Sequence, residues 1–220
     1  MLTVHHLGLS QSERIVWLCE ELGINYELKR YQRRADNGHA PNDYKALHPM
    51  GIAPVVTDGD LVLGESAAIC EYIAVKHGQG RLIPAADSPD YAGHLFWYHF
   101  SNGTFMANSM MEVACLRADA APAEFVVDRK ARAWQLADQR VAAAPFFGGS
   151  KLTLADIMMG FALTTMRAFI DHPMDAYPNI LAYLQRIGAR PAYRHAMAMA
   201  EPDMQPKLSL AELRHAYAFR

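Results

Sequence analysis

A proline turn in the first third of the sequence carries backbone groups that can bind a peptide. Pro54 stands at the front of the apolar run 54–57. Proline has no N–H for a sheet ladder, so it predicts a strand edge or a tight turn, where cis X-Pro bonds occur. If the Ala53–Pro54 bond is cis, the N–H and C=O of Ala53 face outward and can pair with an extended peptide.

A helix start follows this turn closely. Gly64, Glu65 and Ser66 begin a segment whose apolar side chains recur at helical spacing over residues 67–74. The unpaired N–H groups and the dipole at a helix N-terminus favour an anion. Together with the proline turn, the helix start predicts a site for a small acidic peptide.

The ordered string HPMGIAPVV…LVLGESAAICEYI, residues 48–73, resembles the glutathione-binding half of a cytosolic glutathione S-transferase. The similarity is to the bacterial, serine-type group, with theta-like and fungal-bacterial features, and it extends over nearly the whole chain. It implies a transferase with glutathione as co-substrate. It also implies Glu65 and Ser66 at the γ-glutamyl end of glutathione, and Ala53 with Pro54 at the cysteinyl backbone.

The resemblance places the catalytic hydroxyl at Ser10, in the motif S-Q-S-E-R at the turn into the first helix. A free thiol has a pKa of about 8.5, and each unit of lowering requires ~1.4 kcal/mol of preferential stabilisation of the thiolate. A hydroxyl at a helix N-terminus supplies a hydrogen bond beside the positive end of the dipole. Ser12 and His6 are the alternatives, with Ser12 expected to cap the helix and His6 expected to be structural. A catalytic tyrosine is not expected, because His5 and His6 occupy its place.

The glycyl carboxylate of glutathione requires a cation. Members of the family often have a basic residue after the glycine of the proline turn, but here that residue is Ile52. Four side chains of the preceding loop are candidates instead, with His39 preferred: Arg33, Arg34, His39 and Lys45.

The N-terminal elements that position these groups predict a thioredoxin-like domain over residues 1–80. Seven elements are expected: strands over 2–6, 26–31, 54–57 and 61–63, and helices over 13–22, 42–47 and from 64 onward. The first strand, helix and second strand form a right-handed unit with parallel strands. Asp58–Gly59 signals a hairpin between the last two strands. The order is typical of a mixed four-stranded sheet with helices on its faces.

A Pro-containing linker over residues 81–89, which follows Gly78 and Gly80, precedes an all-α helical domain over 90–220. Five helices are expected there: 90–116, 124–143, 153–170, 180–188 and 192–201. Thr153 and Asp156 form a capping box at the start of the third of these helices. This box resembles the folding box of the family and has a structural role.

The first helix of the second domain carries a run of aromatic and methionine side chains over residues 96–111. One face of such a helix must be core, and the other can form an adaptable apolar cleft. From their spacing, four residues are expected to line the pocket for a hydrophobic electrophile: Tyr98, Asn102, Phe105 and Met106.

The composition, 51% hydrophobic and 20% charged with a net charge of −2, is ordinary for a globular protein and indicates no bulk attraction to nucleic acid or membranes. Cys19, Cys70 and Cys115 form no C-x-x-C pair and are expected to be buried, reduced thiols, as in the cytoplasm. The N-terminus lacks a basic leader with a long apolar core, which predicts no signal peptide. No metal is expected, because the histidines form no H-x-x-x-H pattern.

These patterns predict a cytoplasmic, homodimeric detoxification enzyme that joins the glutathione thiolate to a hydrophobic electrophile. One alternative is a glutathione-dependent disulfide or peroxide reductase, and the absence of C-x-x-C argues against a protein-thiol mechanism for it. The other alternative is a non-catalytic binding protein. Ile52 favours that alternative, whereas intact Ser10, Pro54, Glu65 and Ser66 weigh against it.

Overall fold

The computed structural model describes residues 1–170 and 172–209, and the chain divides into two compact units. The first unit contains Met1–Ile83 and also Gly188–Pro206. The second contains Pro84–Ile187 and, of the later residues, 207–209. The first unit therefore ends within the expected linker, but the last helix belongs with it rather than with the helical unit. Residues 210–220 of the expected second domain lie outside the described residues.

Strands and helices follow the predicted order closely. In chain order they are β1 (Leu2–Leu7), α1 (Glu13–Leu22), β2 (Glu27–Tyr31), α2 (Asn42–Lys45), β3 (Val55–Asp58), β4 (Leu61–Gly64), α3 (Ser66–Lys76), α4 (Tyr91–Phe100), α5 (Ala107–Arg117), α6 (Glu124–Ala143), α7 (Leu154–Leu163), α8 (Pro178–Gly188) and α9 (Pro191–Ala200). A π-helical turn, Ser101–Met106, makes α4 and α5 continuous, and a 3₁₀ turn, Thr165–Ala168, follows α7.

The first unit is built on a four-stranded sheet in the order β2-β1-β3-β4. β1 is parallel to β2 and antiparallel to β3, which is antiparallel to β4. This confirms the thioredoxin-like fold. The hairpin loop is one residue later than expected, because Asp58 pairs with Leu61 and leaves Gly59 and Asp60 in the turn. Gly59 has a φ of 61°, which glycine adopts without a steric cost.

The segment around α9 joins the first unit through α1. α1 ends at Gly23, which caps the helix in the left-handed conformation with a φ of 57°. The indole of Trp17 meets the ring of Tyr193 edge to face, with 5.0 Å between centroids. Arg190 pairs with the carboxylate of Glu21 through two hydrogen bonds of 2.6 and 2.7 Å. The segment around α9 is therefore fixed against the helix that begins beside Ser10.

The helical unit is centred on α7, all of whose residues are buried. The expected capping box is confirmed at its start, where Thr153 and Asp156 make reciprocal hydrogen bonds. The Asp156 carboxylate also accepts from the N–H of Phe147 at 2.7 Å and from the hydroxyl of Tyr183 at 3.1 Å. One aspartate therefore joins the loop before α7 to α8.

None of the helices within residues 1–170 and 172–209 combines the length and apolar character required to cross a bilayer.

Candidate active site

Ser10 lies in the turn between β1 and α1, and its side chain is 7% exposed. The Ser10 hydroxyl donates to the carbonyl of Leu7 at 2.7 Å, and its oxygen accepts from the N–H of Ser12 at 3.2 Å. The oxygens of the two serine hydroxyls are 2.7 Å apart. The Ser10 hydroxyl is therefore held in the turn both as a donor and as an acceptor.

Ser12 does not cap α1 with its side chain, although it stands at the N-cap position. This corrects the sequence-based expectation. The Ser12 hydroxyl oxygen accepts instead from the N–H of Leu7 at 3.1 Å and lies 2.9 Å from Nδ1 of His6. The side chain turns back toward β1, because the buried imidazole of His6 competes with the helix amides for it.

His6 connects this turn to the segment that follows α9. Its Nε2 lies 3.1 Å from Oε1 of Glu201, and that same oxygen accepts from the N–H of Leu9. Both His6 and Glu201 are buried. His6 was among the residues predicted near the site, whereas Glu201 was not predicted, because the sequence around it contains no motif that points to β1.

Leu9 has a φ of 52°, a left-handed conformation that is unusual for leucine. Its backbone is held at both polar groups, since its N–H donates to Glu201 and its C=O accepts from Arg33 at 3.1 Å. Arg33 also donates to the carbonyls of Gly8 at 2.7 Å and Gly38 at 2.9 Å. Strained backbone of this kind persists only where the surroundings determine it, and it concentrates at functional sites.

His5 occupies the opposite face of β1, as strand alternation requires. Its ring nitrogens lie 3.0 Å from the hydroxyl of Tyr31 and 3.2 Å from that of Thr57. Burial, with a smaller contribution from Lys29, lowers the pKa of His5. His5 is therefore a neutral, structural residue away from the serine turn.

The proline turn has the predicted geometry, because the Ala53–Pro54 peptide bond is cis. Within the described part of the chain, neither the N–H nor the C=O of Ala53 has a hydrogen-bond partner. His48 shapes the approach to the turn. Its Nδ1 accepts from the N–H of Met50 at 3.3 Å, and its C=O accepts from Gly51 at 2.8 Å.

The Glu65–Ser66 pair lies at the start of α3, as predicted. Glu65 is exposed and has a φ of 65°, whereas Ser66 is buried. The Ser66 hydroxyl donates to the side-chain carbonyl of Gln11 at 3.3 Å and accepts from Arg14 at 2.9 Å. Arg14 is fully buried and also donates to Gln11. The turn that carries Ser10 and the start of α3 are thus bound to each other directly.

The candidate cations for the glycyl carboxylate differ in their contacts. Arg33 is engaged by backbone carbonyls, and Arg34 pairs with the carboxylate of Asp36. His39 is exposed at the loop, where its N–H donates to the side chain of Asn37 at 2.9 Å. Lys45 is exposed, and its aliphatic stem lies beside the turn at Gly51. A Cβ atom added to Gly51 would lie 3.6 Å from Cβ and Cγ of Lys45.

In the helical unit, three of the four expected electrophile-pocket residues are buried: Tyr98 is 5% exposed, Phe105 2% and Met106 4%. Tyr98 stacks on His94, and Phe105 packs on Trp134 with 5.0 Å between ring centroids. Their burial is typical of core, because this face of the helix packs within the unit. The fourth residue, Asn102, is half-buried.

A groove of about 310 Å³ lies elsewhere in the helical unit and contains none of these four residues. Its lining residues are Phe100, Gly103, Thr104, Ala107, Asn108, Met111, Arg129, Arg132, Ala133 and Leu136.

Two of the three cysteines, Cys19 and Cys70, are buried as expected, and Cys115 is half-buried. Burial raises the pKa of both buried thiols, that of Cys70 to about 12. Among the described residues, no cluster of three histidine, cysteine, aspartate or glutamate side chains could hold a metal ion.

The sheet order and the cis-proline turn define a thioredoxin-like unit, and the comparisons with known proteins identify the family. Residues 10–76 match the family model of the glutathione S-transferase N-terminal domain, and residues 99–191 match that of the C-terminal domain. Glutathione S-transferase 3 of Schizosaccharomyces pombe is 30% identical over 223 residues, which cover 92% of this chain and 89% of the relative.

Two solved structures extend this similarity. A glutathione S-transferase from Actinobacillus pleuropneumoniae is 32% identical, with a TM-score of 0.84 over 96% of both chains. A theta-class glutathione S-transferase from Xanthomonas axonopodis pv. citri, with glutathione bound, is 26% identical, with a TM-score of 0.66 over 89% of this chain and 96% of the other. The chain belongs to the glutathione S-transferase family.

Proposed function

We propose that this transferase binds glutathione on its first unit and joins the thiolate, stabilised by Ser10, to a hydrophobic electrophile. The observation that carries the proposal is the contact between the serine turn and the start of α3. Gln11 and Arg14 both bind the Ser66 hydroxyl, at 3.3 and 2.9 Å, and both belong to the segment that follows Ser10. Groups suited to the two ends of one γ-glutamylcysteine unit therefore lie close together.

The three parts of glutathione have complementary partners in this unit. The carboxylate of Glu65 can bind the γ-glutamyl ammonium, while Ser66 and the helix N-terminus favour its carboxylate. The N–H and C=O of Ala53 can pair with the cysteinyl backbone as a strand edge does. Catalysis then consists of thiolate stabilisation and proximity.

For the glycyl carboxylate, Lys45 and His39 are the candidates that the contacts leave available. Lys45 lies against Gly51, on the turn that leads to Ala53, and its side chain ends in a cationic ammonium group. We therefore place Lys45 before His39 in this role. Ile52 is 51% exposed on the same turn and cannot supply a charge.

The electrophile is expected to be apolar, with Asn102 as the accessible member of the set predicted to line its pocket. Tyr98, Phe105 and Met106 would support that surface from the core. Reduction by the thiol of Cys19 or Cys70 is disfavoured, because burial raises the pKa of both. Reduction carried out by bound glutathione itself is separated from conjugation by analysis of the product.

Family membership also supports two further parts of the proposal, a homodimer and a cytoplasmic location. Sedimentation equilibrium would measure the first, and fractionation of cells would measure the second.

Calorimetric titration with glutathione tests the proposed site, comparing the wild type with Glu65→Ala and Glu71→Ala. Both glutamates are exposed on or beside α3, but only Glu65 stands at its start. Loss of a charge-assisted hydrogen bond worth about 2 kcal/mol weakens binding roughly 30-fold in Glu65→Ala. Glu71→Ala should bind as the wild type does. Equal affinities in all three proteins, or no binding by the wild type, would refute the assignment.

A further inference from the structure

A continuous chain of side-chain contacts leads from Ser10 into the interior of the first unit. The Ser10 and Ser12 oxygens are 2.7 Å apart, Ser12 is 2.9 Å from Nδ1 of His6, and Nε2 of His6 is 3.1 Å from Glu201. The exposure of His6 is 1% and that of Glu201 is 8%. Stabilisation of the thiolate by Ser10 alone requires neither of these two buried ionisable groups.

The carboxylate of Glu201 sets the direction of this chain. An ionised carboxylate only accepts hydrogen bonds, so the Nε2 of His6 that faces it carries a proton. In the neutral imidazole, Nδ1 then carries no proton, and its lone pair accepts from the hydroxyl of Ser12. With Ser12 donating to His6, the Ser12 oxygen is free to accept from Leu7 N–H, and it accepts from Ser10 once that hydroxyl turns away from the carbonyl of Leu7, which lies at the same distance of 2.7 Å.

We propose that His6 is the final acceptor of the proton of the glutathione thiol, which reaches it through Ser10 and Ser12, and that Glu201 stabilises the resulting imidazolium. This inference rests on the function proposed above. The S–H bond breaks as an O–H bond forms on Ser10. The original Ser10 proton moves to Ser12, and the original Ser12 proton moves to Nδ1 of His6. One thiolate and one imidazolium result, and no proton is lost to solvent.

The transfer also reverses the hydrogen bonds between His6, Ser12, Ser10 and the thiol, whereas the bond from Nε2 of His6 to Glu201 keeps its direction. The protonated Nδ1 of His6 now donates to Ser12, which donates to Ser10, so the Ser10 hydroxyl points at the thiolate. The N–H of Ser12 already donates to the Ser10 oxygen at 3.2 Å, which strengthens that hydroxyl as a donor. Ser10 is the catalytic residue in contact with the substrate. Ser12, His6 and Glu201 are positioning residues that act through it.

The neighbouring histidine supplies a matched control. His5 is buried, as His6 is, and both of its ring nitrogens have polar partners, the hydroxyls of Tyr31 and Thr57. It differs from His6 in lying on the other face of β1. The test compares wild type, His6→Asn, Glu201→Gln and His5→Asn in three measurements. These are glutathione affinity, turnover with an activated aryl halide, and thiolate absorption of bound glutathione. Calorimetry in buffers of different ionisation enthalpy counts the protons released on binding.

The wild type should form bound thiolate while releasing few protons, because His6 retains them. In His6→Asn, turnover should fall about 100-fold and the thiolate absorption should be lost, with glutathione affinity within about threefold of wild type. Turnover should fall about tenfold in Glu201→Gln. This variant is compared with wild type and His5→Asn if His6→Asn does not fold. His5→Asn should retain turnover and thiolate absorption.

Glutathione binding with equal turnover and thiolate absorption in all four proteins would overturn the relay and leave the proposed function intact. Release of one full proton by the wild type on binding would also overturn the relay, since the proton would then go to solvent. No glutathione binding by the wild type would overturn both the relay and the proposed function.

Discussion

Replacing Asp156 by alanine removes the acceptor for several buried donors in the helical unit. The carboxylate accepts from Phe147 N–H at 2.7 Å, Thr153 N–H at 2.9 Å and the Tyr183 hydroxyl at 3.1 Å. A methyl group accepts nothing, and the residues that carry these donors are buried. The variant should therefore be destabilised even though Asp156 has no role in catalysis.

Two opposing contributions set the magnitude. Each buried donor left without a partner costs about 1–3 kcal/mol, or about 6 kcal/mol for the three. Burial raises the pKa of Asp156 from 3.8 to about 6. Keeping the carboxylate ionised at neutral pH thus costs about 3 kcal/mol, which the alanine variant regains. The expected net loss in free energy of unfolding is about 3 kcal/mol.

Equilibrium urea denaturation, followed by tryptophan fluorescence, measures this loss. Asp128→Ala is the control, because Asp128 is exposed and, among the described residues, its carboxylate pairs only with Arg132 on the same helix, at 3.0 Å. That variant should lose no more than about 0.5 kcal/mol. A loss below about 1 kcal/mol for Asp156→Ala, or equal losses for both variants, would refute the reasoning.

The raised pKa of Asp156 gives the same experiment a dependence on pH. Between about pH 4 and 6 the folded state holds a proton that the unfolded state has released, so the contribution of this group to stability falls as pH rises through that window. It is constant above about pH 6. The gap between wild type and Asp156→Ala should therefore be about 1 kcal/mol larger at pH 5 than at pH 7. A smaller gap at pH 5 would contradict the sign.

Three further outcomes are expected. Ser10→Ala should retain glutathione affinity and lose roughly 10- to 100-fold in turnover, measured by steady-state kinetics; an unchanged rate would move the role to another group of the turn. Lys45→Ala should weaken glutathione binding roughly tenfold but leave binding of γ-glutamylcysteine unchanged, and equal effects on both ligands would exclude a glycyl contact. Maleimide should modify Cys115 in the native protein and reach Cys19 and Cys70 only after unfolding, as mass spectrometry would show; rapid labelling of all three would contradict their burial.

Local signals determined most of the secondary structure. The helix predicted over residues 13–22 is α1, because an apolar face and Gly23 fix its course and its end. The helix predicted over 124–143 is α6, and the Thr153–Asp156 box begins α7 as expected. The proline turn is predictable from Pro54 alone, because the proline ring restricts its own backbone whatever the surroundings are. Each of these features depends on residues within a few positions of one another.

The sequence by itself also determined the candidates for the glutathione site, since Ser10, Ala53, Glu65 and Ser66 belong to motifs that can be seen in one chain. Only the tertiary structure decided how they are held. Gln11 meets Ser66 at a separation of 55 residues, and His6 meets Glu201 at a separation of 195. No local pattern encodes such pairs, because the first forms only when α3 packs on α1 and the second only when α9 packs on α1.

Tertiary packing also decided that α9 belongs to the first unit. α9 has an ordinary amphipathic sequence, which fixes a helix but not the surface that it covers. Its partner is chosen by the fit of Tyr193 on Trp17 and by the pairing of Arg190 with Glu21, two contacts that link distant parts of the sequence. These contacts carry Glu201 to the serine turn, so the packing of a remote helix decides the environment of His6 and, through it, of Ser10.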